Sequence, residues 1–379
     1  MNSKIIFVSS HTSSILSFLL PHIRVLSSEF SLQIFANTRD RTILQSRGVN
    51  IPVDFVPVER RISIWFDIKA LIILFLRFKR VQPAAVHSIT PKAGLLTMVA
   101  AWLAGVPVRT HSFTGQVWAN KVGLKRRFFK FFDKLIAMFA TDCLVDSPSQ
   151  RRFLIKEGVV GQLKCNVLGY GSICGVDTKR FSPDQKVRSK LRSEMAVSDE
   201  SFICLYLGRL NKDKGVLDLA VAFSRFALSR PNVELWLVGP DEESIFNQIL
   251  DLTGPVAAQV CRVGYTSEPE HFMRAADLFC LPSYREGFGS SVIEAAACGL
   301  PSLVSRIYGL TDAVIEGETG WMHEPGNVDD ILDKLEMITL DPGEMRARGL
   351  AARVYVESKF EEGFITSAMK KFYESKFGH

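Results

Sequence analysis

Short apolar runs alternate along this chain with longer amphipathic stretches, and the alternation predicts its elements. Residues 4–9 read as a strand, followed by the polar loop Ser9 to Ser14 and a helix carrying Leu16, Leu19, Leu20 and Val25. Strands come next near 32–36 and 53–58, then a basic amphipathic helix over 66–80. Ala84-Ala-Val-His-Ser-Ile is another strand, and Thr90-Pro-Lys-Ala-Gly94 opens a helix that stops at Gly105. Val106 to His111, Asp142 to Ser147 and Asn166 to Tyr170 complete the set. Strands alternating with helices in this way predict a parallel α/β sheet.

The pattern then restarts. Gly169-Tyr-Gly-Ser-Ile-Cys-Gly-Val-Asp177 and Arg180-Phe-Ser-Pro183 are glycine-rich and proline-terminated, as an interdomain hinge requires. Phe202 to Leu210, Val233 to Gly239, Val260 to Gly264, Asp277 to Leu281, Ser302 to Ser305 and residues 320–325 read as six further strands. The expectation is two α/β domains: 1–168, a linker over 169–200, and 201–361, with a last helix at about 362–379 packing back on the first domain.

One stretch of the second domain has the pattern strand, tight loop, helix, strand. After Asp277-Leu-Phe-Cys-Leu come a loop with Gly287 and Gly289, then Ser290 and Ser291 as helix-starting residues. Gly299 and Pro301 end that helix. Free amides at a helix N-terminus attract anions, and glycines let a phosphorylated ligand approach the backbone. Glu286 in the loop and Glu294 in the helix flank this place, and carboxylates beside a phosphate site suit hydroxyls of a ribose or a sugar. The bland alternative is an ordinary turn with two solvated glutamates.

Arg209 and Lys214 stand at the two ends of a short turn after the strand from Phe202. A diphosphate needs such a pair, because charge-assisted hydrogen bonds are the strong ones. His111 is expected at the C-terminal end of its strand, just before Ser112-Phe-Thr-Gly115, where ligands bind in parallel sheets, although a lone histidine is more often structural. Lys121, Lys125, Arg126, Arg127, Lys130 and Lys134 interleave with Phe128, Phe129, Phe131 and Phe132. As a helix, Leu124, Phe128, Phe132, Leu135 and Phe139 share one side and are expected to face the core. Phe129 and Phe131 fall off that side beside the cations, which fits a patch for anionic lipid rather than nucleic acid.

Composition sharpens this picture. The chain has 379 residues, is 47% hydrophobic, and carries a net charge of +6. Residues 1–168 hold 23 Lys+Arg against 9 Asp+Glu, a balance of +14; the remainder holds 23 against 31, a balance of −8. A basic first half suits an anionic surface or substrate. The seven cysteines form no C-x-x-C pair and sit mostly in apolar runs, as buried free thiols of a reducing compartment do. Residues 1–10 read as a strand and not a signal peptide. No run reaches the roughly 18–20 apolar residues that cross a bilayer.

These residues resemble a known family. Glu286-Gly-Phe-Gly-x4-Glu294 resembles the E-x7-E element of retaining glycosyltransferases of family 4, which have the GT-B fold: two Rossmann-like domains whose parallel sheets face across a cleft. Gly208-Arg-Leu-Asn-Lys-Asp-Lys-Gly215 fits the family's G-R-L-x-x-x-K-G, and Gly169 to Asp177 fits its G-x-G-S-x-x-G-V-D. His87-Ser-Ile-Thr-Pro-Lys-Ala-Gly and Arg109-Thr-His-Ser-Phe-Thr-Gly-Gln are most similar to a bacterial subgroup building capsule and O-antigen polysaccharide on a lipid carrier. Two segments depart from the pattern: Ser9 to Ser14 replaces a glycine-rich loop, and Gly239-Pro-Asp241 stands where the family often has G-x-G.

The resemblance implies transfer, with retention, of a hexose or N-acetylhexosamine from a nucleotide sugar, expected to be UDP-linked, to a polyprenyl-diphosphate-linked saccharide. Arg209 and Lys214 would hold the diphosphate with the amides near Gly289. Glu294 would hold the ribose, and Glu286 with the backbone of Gly287 and Phe288 the sugar. The turn at Gly264 would lie against the base, and His111 would face the transferred sugar. No metal or other cofactor is expected, since no Asp-x-Asp occurs and cations can replace one. The enzyme would sit peripherally on the inner face of the plasma membrane, with Lys121, Lys125, Arg126, Arg127, Phe129 and Phe131 towards lipid and acceptor. A nucleotide-sugar epimerase and a non-catalytic assembly partner are the alternatives.

Overall fold

The computed structural model describes residues 3–59 and 63–378. The chain divides into two compact units, residues 1–175 with 362–379, and residues 176–361. The end of the expected terminal helix at residue 379 lies outside the described residues.

The first unit runs β1 (Lys4–Ser9), α1 (Thr12–Ser14), a π-helical turn, α2 (Leu20–Leu26), β2 (Ser31–Ala36), β3 (Val53–Phe55) and α3 (Ile64–Val81). It continues β4 (Ala85–Ile89), α4 (Pro91–Ala104), β5 (Val108–Phe113), α5 (Gly123–Phe139), β6 (Asp142–Val145), α6 (Pro148–Lys156) and β7 (Cys165–Val167). The seven strands are parallel, in the order β3-β2-β1-β4-β5-β6-β7. Every residue of β4 and residues 5–9 of β1 are buried, as in strands whose two faces are both covered by helices. Gly105, at φ 77°, ends α4, and the Ser147 hydroxyl caps α6 by accepting from the Gln150 amide.

The order reverses between β1 and β4. The loops after these strands meet there, where Ser10 Oγ and Thr90 Oγ1 share a hydrogen bond of 2.9 Å. Such a reversal is where open α/β sheets form ligand crevices. The terminal helix, Glu362–Phe377, is part of this unit. Its Ile365, Met369 and Tyr373 are buried with Phe30 and Leu32, and Lys376 Nζ lies 2.5 Å from Asp142 Oδ1.

The second unit begins at Val176, so the linker expected over 169–200 is shorter than the sequence suggested. Within it α7 (Gln185–Glu194) is capped by Asp184. Arg188 and Arg192 on α7 both reach Asp277, at 2.6 and 3.3 Å. Arg192 also donates to the carbonyls of Ala275 and Ser198, and these bonds bind the segment to the body of the unit. Next come β8 (Phe202–Leu207), α8 (Val216–Ala227), β9 (Val233–Val238), α9 (Phe246–Thr253), β10 (Val260–Val263), α10 (Pro269–Ala275) and β11 (Leu278–Leu281). Then follow α11 (Ser290–Ala297), β12 (Ser302–Ser305), α12 (Leu310–Ala313), β13 (Gly320–His323), α13 (Val328–Leu340) and α14 (Pro342–Lys359). Its six parallel strands run β10-β9-β8-β11-β12-β13. This order reverses between β8 and β11. Among the described residues no helix is long and apolar enough to cross a membrane.

Candidate active site

Two loops leave the sheet of the second unit at its reversal point, one after β8 and one after β11. They are stitched together. The Tyr284 amide donates to the Asp213 carbonyl at 3.0 Å, and Arg285 Nη2 lies 3.3 Å from Asp213 Oδ2. Their closeness depends on Gly215, at φ 67°, where a Cβ would stand 2.0 Å from the carbonyl oxygen of Pro282.

This stitching sets the charges. Lys214 Nζ forms an ion pair with Glu286 Oε1, and Ser283 Oγ donates to that same oxygen at 2.9 Å. Both side chains are mostly buried, so the pair is little screened. The β8 loop is fixed from below, where Tyr206 Oη donates to the Arg209 carbonyl at 2.7 Å. Burial, chiefly, pushes the Tyr206 hydroxyl above its ordinary pKa, so it stays a donor.

The β11 loop ends on Gly289, which serves as the N-cap of α11 in the left-handed region, at φ 83°. Ser290 and Ser291 start the helix as expected, as its first two residues, but neither is its N-cap. No side chain caps this end, which leaves the first amides of α11 to a ligand or to water. Phe288 is buried against Phe360, ring centroids 5.0 Å apart. Its side chain therefore anchors the loop, and only its backbone is on offer. Glu294 lies one turn into α11. Burial raises its carboxyl to about 7, an effect Arg180 partly offsets and Glu270 reinforces. Gly264 ends β10 with open space where a Cβ would be, beside the exposed Tyr265.

In the first unit, His111 lies inside β5 and is almost wholly buried. Its Nδ1 shares a 2.8 Å hydrogen bond with Ser88 Oγ on β4. The ring occupies the space above Gly94, where a Cβ would come within 2.4 Å of Cε1. Burial lowers its pKa to about 3, so the imidazole is neutral at physiological pH. His87, one strand away, joins Ser112 Oγ at 2.7 Å to Tyr373 Oη at 2.8 Å and ties β4 and β5 to the terminal helix.

Helix α5 is turned from the orientation its pattern suggested. Leu124 and Phe128, expected in the core, are exposed together with Phe131, while Phe129 packs inward. The cause lies in three polar residues. Asp133 is buried and accepts from Trp118 Nε1 at 2.7 Å, and burial raises its carboxyl to about 7. Arg126 and Lys130 both reach Glu157, at 2.8 and 2.6 Å, and lie over the Trp118 ring. Arg126 and Phe129 are therefore occupied within the fold and do not face lipid. Lys125, Arg127 and Phe131 do face outward.

Comparison with known proteins fits this geometry. Residues 24–171 match the glycosyl transferase 4-like domain, and residues 187–353 match glycosyl transferases group 1. The capsular polysaccharide biosynthesis glycosyltransferase CapM of Staphylococcus aureus is 30% identical over 322 residues, 84% of each chain. This chain belongs to the family 4 glycosyltransferases. It falls with the capsule and O-antigen group. The Escherichia coli UDP-Gal:alpha-D-GlcNAc-diphosphoundecaprenol alpha-1,3-galactosyltransferase is 28% identical over 298 residues, 76% of this chain and 74% of its own. The crystal structure of Anabaena Alr3699/HepE in complex with UDP matches at a TM-score of 0.81 and 18% identity. It covers 98% of this chain and 100% of that one, and the shared fold is GT-B.

In this glycosyltransferase, Lys214, Glu286 and the Gly287–Gly289 backbone stand together at the reversal point of the second sheet, and Arg209 opens the same β8 loop that Lys214 closes. His111 belongs to the other unit. Sequence reasoning passed over Glu242. Both of its oxygens accept from Arg209 Nη1, at 3.1 and 2.9 Å. Its position offered one hint, directly after Gly239-Pro-Asp241, the segment that departs from G-x-G, but the sequence did not show its pairing with Arg209. Arg180 was read only as part of the hinge. Its Nη2 donates to Glu270 Oε2 at 2.8 Å and to the Ser267 carbonyl at 2.7 Å, and its charge is felt at Glu294.

Proposed function

We propose that this glycosyltransferase moves a hexose or N-acetylhexosamine from a UDP-sugar to a polyprenyl-diphosphate-linked saccharide, with retention at the anomeric carbon. The observation that carries the reading is the meeting of Lys214, Glu286 and the uncapped start of α11, with Arg209 on the same loop as Lys214. Arg209, Lys214 and the amides take the charge that develops on the departing diphosphate. Glu294 accepts from the ribose hydroxyls, and the turn at Gly264 receives the base. Glu286 and the backbone of Gly287 and Phe288 orient the sugar. His111, neutral, offers a hydrogen bond to a sugar hydroxyl. The nature of the donor and the lipid-linked acceptor is supported by the names of the relatives. A place on the inner face of the plasma membrane is supported by the cations of α5.

The test is nucleotide release by purified protein from UDP- and GDP-sugars, with and without an undecaprenyl-diphosphate-linked saccharide. Release from a UDP-sugar only when acceptor is present, lost in Glu286→Ala, is the expected result. Equal turnover without acceptor, or unchanged activity in Glu286→Ala, would sink the reading.

A further inference from the structure

Helix α3 has two faces of opposite fate. Ala70, Leu74 and Phe78 are buried in the unit. On the other side Trp65, Ile68, Ile72 and Leu76 recur at helical spacing and are exposed, Trp65 by 84%. Ile64, exposed by 73%, and Phe66 extend this apolar end. Lys69, Lys79 and Arg80 are exposed on the same helix. Its one acid, Asp67, is held 2.5 Å from Lys92 of α4. Helix α4 packs against both α3 and α5 and exposes Trp102 and Leu103 at its end. Helix α5 adds Leu124, Phe128, Phe131 and Met138 with Lys125, Arg127 and Lys134. Its one acid, Asp133, is buried.

The outer surface of this helical layer thus pairs large apolar side chains with cations and offers no exposed acid. Protein interfaces are depleted in lysine, whereas an anionic bilayer surface favours this combination. We propose that α3 lies in the plane of an anionic bilayer. Trp65, Ile68, Ile72 and Leu76 sit below the phosphates, and Lys69, Lys79 and Arg80 sit among them. The proposal rests on the reading that the enzyme works at a membrane, and its experiment reads binding rather than transfer, so each can fail alone. Cosedimentation would use vesicles of phosphatidylcholine with and without phosphatidylglycerol. The double substitution Ile68→Glu/Ile72→Glu lies on the surface and leaves thermal unfolding unchanged. It is expected to weaken binding to anionic vesicles about tenfold or more. Wild-type protein that ignores anionic vesicles, or a double variant that binds as the wild type does, overturns the proposal. So does a wild-type dimer in solution that the double variant breaks, because that would make a second copy the occupant.

A separate observation concerns the donor site. Glu242 occupies Nη1 of Arg209, and Asn211 Nδ2 donates to Glu242 Oε2 at 3.4 Å. The loop holding Glu242 is fixed, since the Glu242 amide donates to Leu210 O and the Leu210 amide to Pro240 O, at 3.2 and 2.8 Å. An arriving diphosphate would meet this carboxylate beside the cation it needs. We infer that Glu242 is a stand-in anion on Arg209 that the donor must displace, and so sets donor affinity. This rests on Arg209 binding the diphosphate. The probe is UDP, titrated calorimetrically. Glu242→Gln is expected to bind UDP about fivefold more tightly, with a matching fall in donor KM. The gap should narrow as salt is raised, because Arg209 and Glu242 are 44% and 33% exposed. Equal or weaker binding by Glu242→Gln would show that Glu242 orients Arg209 instead. Wild-type protein that binds no UDP would overturn the donor site itself.

Discussion

At the scale of single residues, Glu294 couples the chemistry to stability. Its carboxyl titrates at about 7 in the fold against 4.5 ordinarily. Between those values the folded unit holds a proton that the unfolded chain has released, so stability falls as pH rises from about 4.5 to 7. Glu294→Gln should therefore stabilise the protein at pH 8, by about 1–2 kcal/mol, visible as a Tm higher by a few degrees. The same change should weaken the donor. Ribose hydroxyls are best received by the ionised form, so donor KM should rise as the pH of the wild-type assay is lowered from 8 to 6. In Glu294→Gln that dependence should vanish; a variant that keeps it would assign the limb to another group. His111 behaves differently. With its pKa near 3 it contributes no limb to the pH–rate profile above pH 5. Glu286, Arg209 and Lys214 could be singled out in the sequence because their spacing along the chain is fixed by two short loops. Glu242 was not, because only folding brings residues 209 and 242 together.

At the scale of elements, every strand of both sheets was legible from its apolar run, and the second-unit site followed from strand–loop–helix order. The rotation of α5 was not. Its phenylalanines alone define two plausible faces, and the choice falls to Asp133, Arg126 and Lys130, whose partners Trp118 and Glu157 are unpredictable from periodicity. The loops of the donor site have their own test. Gly215→Ala would put a side chain on a left-handed residue and against Pro282, at a cost of about 2–4 kcal/mol. The loops would have to separate, and with them Lys214 and Glu286. UDP affinity should then fall at least as far as in Lys214→Ala, while the far-ultraviolet circular dichroism below the transition stays that of an α/β protein. Wild-type UDP affinity in Gly215→Ala would mean that the closeness of the loops is incidental.

At the scale of the whole molecule, the chain's two charge balances fall on two units, the basic one carrying the apolar helical layer and the acidic one carrying Arg209 and Lys214, the pair proposed to hold a diphosphate. That division was legible from counting alone. The return of the terminal helix to the first unit was expected from the sequence, but the scattered contacts that hold it there are visible only in the structure. Tyr373 meets His87, Lys376 meets Asp142, and Lys370 meets Glu29 at 2.9 Å. Ile365, Met369 and Tyr373 are core residues of a unit whose other members lie almost two hundred or more positions earlier. Removing residues 362–379 would strip a layer from one face of the first sheet, expose the core residues packed beneath it and take the Tyr373 partner from His87 Nδ1. The second unit keeps its own sheet, its Arg192–Asp277 tie and the whole donor site. A chain ending at Glu361 should therefore melt in two steps, the lower belonging to the first unit. UDP should raise only the upper step, since a ligand stabilises the unit that binds it. A single cooperative transition, raised throughout by UDP, would show that the two units unfold as one and that the terminal helix is not what holds the first together.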